Sequence, residues 1–282
     1  MEALVYPFSL REYLRHSARE PVGPPERFPT AVPSAMDHAL RDYLSGGGFP
    51  EAQGAEPRDR FDLLRGYVDL VLLRDIIERH QVSNPTALRW LTRHLLSNAA
   101  GHFSISRFHA DLLSQGIPAS RDSLHEFVAF LVDAFLVRTL SIATGSERRR
   151  IVNPRKVYPI DPGFIPVYDR TGRANLGHAL ETAVLLELDR RGAEVAYVRT
   201  AAGHEVDFLA RYPEGVTELI QVCADLSAAP TLEREFRGLL EAAAEHPEAS
   251  LHLIALDPED AASIVPAVNV HSAVSWLLGS AS

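Results

Sequence analysis

The stretch HEVDFLARYPEGVTELIQVCADL, residues 204–226, has the pattern of two β-strands joined by a turn at YPEG, residues 212–215. Asp207 in the first strand and Gln221 in the second are 14 residues apart, which suits a hairpin that brings them together. Because side chains alternate between the two faces of a strand, Gln221 and Cys223 would share one face. We therefore expect polar residues to meet at one edge of a sheet.

The segments on both sides of this hairpin alternate between strand and helix patterns. Such alternation predicts a mixed α/β sheet flanked by helices, in a unit that covers residues 153–282. The predicted strands are KVYPID, EVAYVRT, the two strands of the hairpin and SLHLIALD, and the predicted helices are NLGHALETAVLLELDRRG, TLEREFRGLLEAAAEH and SAVSWLLG.

Residues 83–152 show a different pattern, with three amphipathic helices at 85–99, 104–116 and 118–137. The following segment, RTLSIATGSERRRIV, is typical of two strands around a Gly-Ser turn. Three helices and a two-stranded ribbon predict a winged helix-turn-helix. Its basic tip, Arg148, Arg149 and Arg150, would then contact DNA phosphates. The alternative is a helical adaptor in which these arginines are a solvated charge run.

The N-terminal part begins with residues 1–35, where five prolines between residues 18 and 35 predict a linker or an irregular loop. Residues 36–82 are expected to be helical. A first helix at 36–45 ends at Gly46, and a second at 57–80 carries an apolar stripe. Together with the two later units, this gives a multi-domain α+β organisation.

Composition excludes several functions. The chain of 282 residues has a net charge of −9, which argues against broad binding of nucleic acids through their phosphates. Its one cysteine excludes an internal disulfide, and the absence of an 18-residue apolar run predicts no membrane span. The cytoplasm is the expected compartment. The only lysine, Lys156, is not preceded by the glycines of a P-loop, so we expect no ATP hydrolysis.

The order of Glu181 on a helix, Asp207 on a strand and Gln221 on the next strand resembles the metal site of restriction-endonuclease-like nucleases. In that fold two acidic groups hold Mg²⁺ and a lysine follows two residues after the second. Here Gln221 replaces the second acid and Cys223 stands at the lysine position. We therefore expect at most weak Mg²⁺ binding by Glu181, Asp207 and Gln221, and little cleavage. A nuclease with an altered site is the alternative.

The chain also resembles, over nearly its whole length, a group of prokaryotic AAA-type ATPases with a C-terminal domain of unknown function. The resemblance is carried by the blocks YPFSLREYL, LSGGGFPEA, LLRDIIERHQVSN, HFSISRFHADLLSQGIPASRDSLHEFVAFLVDAFL, RKVYPIDPGF, LGHALETAVLLELDRRG, HEVDFL and LIQVCADL.

The resemblance implies that the chain corresponds to the part of such proteins that follows the ATPase core. The expected function is then a non-catalytic binding or regulatory module that acts with a partner ATPase. A truncated remnant without its own function is an alternative. Arg74 and Asp75 would belong to a helical lid, or simply to an exposed helix surface.

Overall fold

The computed structural model describes residues 4–21, 31–169, 175–258 and 265–279, which form helices and two β-sheets. The predicted mixed α and β class is confirmed at this level. Residues 22–30 of the predicted proline-rich linker lie outside the described residues. The helix expected at 36–45 begins earlier, at Ala31, and therefore includes the last residues assigned to the linker.

The N-terminal helices lead into a long continuous helix. Ser9 begins the first of them with a capping box, since its side chain and that of Glu12 each bond the other's backbone N–H. The long helix is predicted at 57–80, and its C-terminal part widens into a π-helix. The elements are α1 (Leu10–His16), α2 (Ala31–Gly46), a 3₁₀ turn (Pro50–Ala52), α3 (Pro57–Val71) and the π-helical segment Leu72–Glu78.

The next elements form a helical unit with a small antiparallel sheet of order β1-β3-β2. Side chains of Asn84, Ser104 and Ser120 accept backbone N–H groups at the starts of the three predicted helices. The elements are α4 (Pro85–Ser97), β1 (Gly101–Phe103), α5 (Ile105–Ser114), α6 (Arg121–Asp133), β2 (Val137–Leu140), α7 (Glu147–Val152) and β3 (Arg155–Pro159).

Two expectations about this region are wrong. The second strand of the predicted ribbon is the short helix α7, because the Ser146 side chain caps the backbone N–H of Arg149 and starts a helical turn. The partner of β2 is β3, in a register that pairs Val137 with Pro159. The sequence pattern predicts KVYPID as a strand of the C-terminal sheet, but this strand is β3 and pairs with β1 and β2 instead.

The C-terminal sheet has the order β4-β5-β6-β7-β8. Strands β4 to β6 are antiparallel, as the hairpin at 204–226 predicts, and β6 to β8 are parallel. Strand β8 was not predicted. The elements are α8 (Phe164–Tyr168), α9 (Leu176–Arg190), β4 (Glu194–Arg199), β5 (Glu205–Arg211), β6 (Thr217–Cys223), α10 (Ala229–Glu245), β7 (Ser250–Ala255), β8 (Val268–Ser272) and α11 (Ala273–Leu278).

The two faces of this sheet bury different helices. Ile220 and Ile254 point to the side covered by α9, α2 and α11, whereas Leu219 and Leu253 point to α10. This alternation follows the two-residue period of strands. The segment after β2 continues along the edge strand β4, where the Ala143 N–H donates to the Tyr197 carbonyl at 2.7 Å. The two sheets are thereby held side by side.

No helix in the described ranges combines the length and the apolar character that crossing a membrane requires.

Candidate functional site

The only lysine of the chain lies at the junction of the two sheets. Lys156 is on β3, and its side chain is 4% exposed. Its Nζ lies 2.7 Å from Glu181 Oε1, 3.0 Å from Asp207 Oδ1 and 3.2 Å from Glu205 Oε1. One ammonium therefore faces three carboxylates.

The fold explains why these groups meet. Glu181 is on the face of α9 that covers the C-terminal sheet, and Glu205 and Asp207 are two residues apart on β5, so both can reach the same side. Lys156 approaches from the neighbouring sheet. The cluster is thus assembled from three elements that are distant in sequence.

Further hydrogen bonds fix the carboxylates. The Tyr158 hydroxyl donates to Glu181 Oε1 at 2.7 Å, and the Val222 N–H donates to Asp207 Oδ2 at 3.0 Å. His102 Nε2 lies 2.6 Å from Glu205 Oε2. We call this group the Lys156 cluster, and its members are His102, Lys156, Tyr158, Glu181, Glu205 and Asp207.

Burial and charge shift the proton affinities in this cluster. Burial raises the pKa of Glu181 to about 8, and the nearby Asp207 adds to the rise while Lys156 opposes it. Burial alone would lower the pKa of Lys156, but the charges of Asp207, Glu181 and Glu205 outweigh it and raise that pKa. Glu181 therefore takes up a proton more readily than an ordinary carboxyl group, and Lys156 stays charged.

The pKa of Glu205 is shifted in the opposite direction to that of Glu181. Burial would raise the pKa of Glu205, but the hydrogen bond from His102 and the charge of Lys156 outweigh burial and lower it. Glu205 is also more exposed than Glu181, with 31% of its side chain accessible against 11%. The cluster therefore holds an ionised carboxylate at its outer side and a proton-binding one at its buried side.

The predicted metal ligands meet only in part. Glu181 and Asp207 both bond Lys156 through carboxylate oxygens, whereas Gln221 bonds other groups. Its Oε1 accepts the backbone N–H of Asp207 at 3.3 Å, and its side chain also hydrogen-bonds Glu235 on α10. Both ends of the Gln221 amide are therefore engaged within the protein.

Cys223 contributes nothing to the cluster. Its thiol donates to the Asp225 carbonyl at 3.2 Å, and burial raises its pKa. Within residues 4–21, 31–169, 175–258 and 265–279, no group of three or more His, Cys, Asp or Glu side chains has a geometry that could hold a metal ion.

The arginines of the predicted wing are exposed on α7. Arg150 bonds Glu147 at 2.9 Å and donates to the Thr144 carbonyl, while Arg148 and Arg149 point to solvent. They lie on a helical turn rather than on the strand tip that we expected.

A second buried charge lies just after β3. Asp161 is fully buried, and its two carboxylate oxygens accept the backbone N–H groups of Gly48, at 2.6 Å, and Gly163, at 2.7 Å. Burial raises the pKa of Asp161 to about 6, although both hydrogen bonds oppose the rise. We call Asp161 with Gly47, Gly48 and Gly163 the Asp161 turn. The glycine-rich stretch SGGGFPE is therefore a backbone turn, which the carboxylate of Asp161 holds through the Gly48 N–H.

The sequence reasoning missed Lys156, Tyr158, Glu205 and His102. Two signals pointed to some of them. Lys156 is unique in the chain and shares a strand face with Tyr158, and Glu205 has the two-residue spacing from Asp207 that places both on one side. For His102 the sequence held no signal, because its contact depends on β1 pairing with β3.

Comparison with known proteins adds family information without a function. Residues 37–171 match the model of a domain of unknown function, DUF8612. An uncharacterized protein of Methanocaldococcus jannaschii is 28% identical over 239 residues, which are 83% of this chain and 52% of that protein. An uncharacterized protein of Haemophilus influenzae is 26% identical over 211 residues, which are 75% of this chain and 50% of that protein.

The chain thus spans about half the length of the curated relatives that it matches. No solved structure matches it. The region matched by the domain model includes Lys156 and Asp161 and ends before α9, so Glu181, Glu205 and Asp207 lie beyond it.

Proposed function

We propose that this chain is a non-catalytic binding module in which Lys156 closes an acidic site that resembles a nuclease centre. The observation that carries the proposal is the position of Lys156 Nζ, 2.7 Å from Glu181 and 3.0 Å from Asp207. A Mg²⁺ ion would need these same oxygens at about 2.0–2.1 Å. It would also lie beside a buried ammonium, which repels it.

The remaining ligands support the same conclusion. Burial and the neighbouring Asp207 raise the pKa of Glu181, so a proton competes with any metal ion for this carboxyl group. Gln221 already bonds Asp207 and Glu235. Asp207 uses its second oxygen to accept the Val222 N–H. Too few free, charged oxygens remain for a metal-dependent cleavage reaction.

The arrangement of elements supports a restriction-endonuclease-like origin for the C-terminal sheet. A helix precedes three antiparallel strands, and a second helix leads to a parallel strand, which is the order expected for that fold. The helical unit has the order helix, strand, two helices, strand, connection and strand. This order supports a winged helix whose connection contains α7.

The binding partner of the winged unit is proposed to be a phosphate backbone that contacts α7. Arg148, Arg149 and Arg150 are adjacent and exposed, whereas α6, the helix that would enter a DNA groove, carries the acids Asp122 and Glu126 on its exposed side. This charge distribution favours contact with phosphates over recognition of bases. A partner ATPase remains part of the proposal through the sequence resemblance.

The proposal that the chain is non-catalytic is tested on the unmodified chain. We expect no saturable heat of binding for Mg²⁺ or Mn²⁺ in calorimetric titration, and no cleavage of single- or double-stranded DNA. Asp207→Asn is the matched variant. Metal-dependent cleavage by the unmodified chain that Asp207→Asn abolishes, while circular dichroism shows the variant folded, would overturn the proposal.

The second candidate, a divalent-metal nuclease, is favoured by one observation. Lys156 supplies in space an ammonium close to Asp207, although the lysine expected at position 223 is absent. If this candidate holds, added Mn²⁺ should displace Lys156 from the carboxylates. The pKa of Glu181 would then fall, which a metal titration at several pH values would detect as proton release.

The nucleic-acid part is tested separately. Replacing Arg148, Arg149 and Arg150 by Ala should weaken binding to any duplex DNA and reduce the dependence of affinity on salt by up to about three phosphate contacts. The control replaces the exposed Arg58, Arg79 and Arg237 and changes the net charge equally. Equal losses in both triple variants would show that only net charge matters and would reject α7 as the contact.

A further inference from the structure

The exposed side of α3 carries a row of apolar side chains that the chain does not bury. Leu63, Tyr67 and Leu70 are 43%, 45% and 49% exposed. Their spacing of four and three residues places them on one face of the helix. The opposite face already fills the core through Leu64, Val68 and Val71. Tyr67 also packs against Phe49, with 4.7 Å between ring centroids, and the exposed part of the row is free for an interaction outside the chain.

A glycine lies in the middle of this row. Gly66 is helical, and a Cβ added there would meet nothing within 4 Å. Glycine in a helix interior destabilises the helix relative to alanine. No packing within the chain requires the small residue, whereas the close approach of another helix would.

Charges of opposite sign end the row. Asp59 precedes Leu63 by one helical turn, and Arg74 follows Leu70 by one turn. Both are exposed, and neither has an ion-pair partner among the residues that the structure describes. Because the helix continues without a break into the π-helical segment, Arg74 remains on the same rod as Asp59.

We propose that this face of α3 is a homodimer interface, on which a second copy of the chain packs its own α3 in the antiparallel direction. A two-fold axis between Gly66 and Tyr67 would place Asp59 opposite Arg74 of the second copy, and Arg74 opposite its Asp59. Leu63 would face Leu70, and the ring of Tyr67 would lie over Gly66. The row is thus complementary to itself, as a two-fold interface requires.

The charge order identifies the second copy as the occupant. A face with an acid at one end, a base at the other and apolar residues between them matches an antiparallel copy at every position. A parallel copy would place Asp59 against Asp59 and Arg74 against Arg74. Opposite charges at the rim set orientation and partner choice more than affinity.

Sedimentation velocity of the whole chain over a concentration series tests the proposal. We expect a reversible monomer–dimer equilibrium. Asp59→Arg and Arg74→Asp should each weaken dimerisation by at least about tenfold, because each places like charges at both ends of the interface. An equimolar mixture of the two variants should dimerise like the unmodified chain, since every facing pair in the mixed dimer is again of opposite charge.

Two substitutions at position 66 sharpen the test. Gly66→Ala should raise the free energy of unfolding of the monomer, because alanine favours the helix, and should still weaken the dimer. Gly66→Leu should abolish the dimer. The control is Arg79→Asp, exposed on the same rod beyond the row, which should leave the equilibrium unchanged.

A monomer at every concentration would overturn the proposal. So would a dimer that both charge reversals leave intact. A dimer that each reversal weakens but that the mixture does not restore would rule out the antiparallel pairing.

Discussion

Lys156 and Asp161 lie on the same strand and the turn that follows it, and both are almost fully buried, but their charges are stabilised in different ways. Lys156 is surrounded by side chains from β5 of the C-terminal sheet and from α9, the helix that packs on that sheet. Asp161 is held by backbone N–H groups of two glycines. One site joins two units through ionisable groups, and the other joins two turns through the backbone.

The difference determines what each site tolerates. In the Lys156 cluster three carboxylates share one ammonium, so the balance depends on protonation and Glu181 takes up a proton most readily. In the Asp161 turn the partners of the carboxylate are backbone N–H groups, which do not titrate. The space around the glycines therefore limits which substitutions the turn tolerates. A Cβ on Gly47 would lie 1.9 Å from Asp161 Oδ1. Changes of charge should therefore affect the first site most, and changes of backbone geometry the second.

The largest expected effect is that of Lys156→Met. It would leave three carboxylates buried or half-buried without their cation, and breaking a buried ion pair from one side costs about 3–5 kcal/mol. Denaturant unfolding of the variant should show a loss of this size, while the exposed Arg79→Met should change little.

Adding Glu181→Gln and Asp207→Asn to Lys156→Met should recover most of the loss, because the buried negative charges disappear with the ammonium. A loss below about 1 kcal/mol in the single variant would mean that the pairing is worth no more than a surface salt bridge.

The next effect concerns glycine geometry in the Asp161 turn. Gly47 and Gly54 both have a left-handed backbone, with φ of +80° and +74°, but only the Cβ position of Gly47 is blocked. Gly54→Ala should lose about 1–2 kcal/mol from backbone strain alone. Gly47→Ala should lose this and about 1–3 kcal/mol more from the clash with Asp161 and Gly163. Equal losses in thermal unfolding would show that the turn can open to admit a methyl group.

The sequence predicted the parts of the fold that depend on local pattern. The amphipathic helices α4, α5 and α6 have their apolar period and capping side chains within a few residues of each other, and all three are present. The hairpin of β5 and β6 likewise follows from one alternating stretch. The strands β1 and β8 are short and depend on their neighbours, so no local pattern predicted them.

The site was predicted less completely because it depends on long-range pairing. Glu181 and Asp207 were found from their order along the chain, and they do meet at Lys156. The role of Lys156 depends on β3 pairing with β1 and β2, which no local pattern specifies. Because β3 was expected in the C-terminal sheet, the contact that Lys156 makes from the neighbouring sheet was not predicted. For Arg148 to Arg150, the Ser146 cap outweighed the strand pattern.

A smaller effect is expected for Asp161→Asn. The carboxylate accepts two N–H groups with separate oxygens, and the amide offers one oxygen and one NH₂ group. The NH₂ would face a backbone N–H, so one buried donor would lose its acceptor at a cost of about 1–3 kcal/mol. The exposed Asp133→Asn is the matched control. If Asp161→Asn unfolds at the same denaturant concentration as the unmodified chain at pH 7, the two hydrogen bonds do not hold the turn.

The smallest effect is the pH dependence that Glu181 contributes. Its pKa is raised from an ordinary 4.5 to about 8, so the stability that its proton provides is full below about 4.5 and is lost as the pH rises through about 8. Asp161 acts in the same direction, but its window ends near pH 6. Between pH 6.5 and 8.5 the difference between the unmodified chain and Glu181→Gln therefore reports on Glu181 and not on Asp161. Glu181→Gln stays neutral and keeps a carbonyl oxygen for Tyr158 and Lys156. Its free energy of unfolding should therefore fall less steeply with pH, by at most about 1.4 kcal/mol per pH unit. The exposed Glu78→Gln should follow the unmodified chain. Parallel curves for the unmodified chain and Glu181→Gln would show that Glu181 is already ionised, and that the Lys156 cluster is balanced by charge alone.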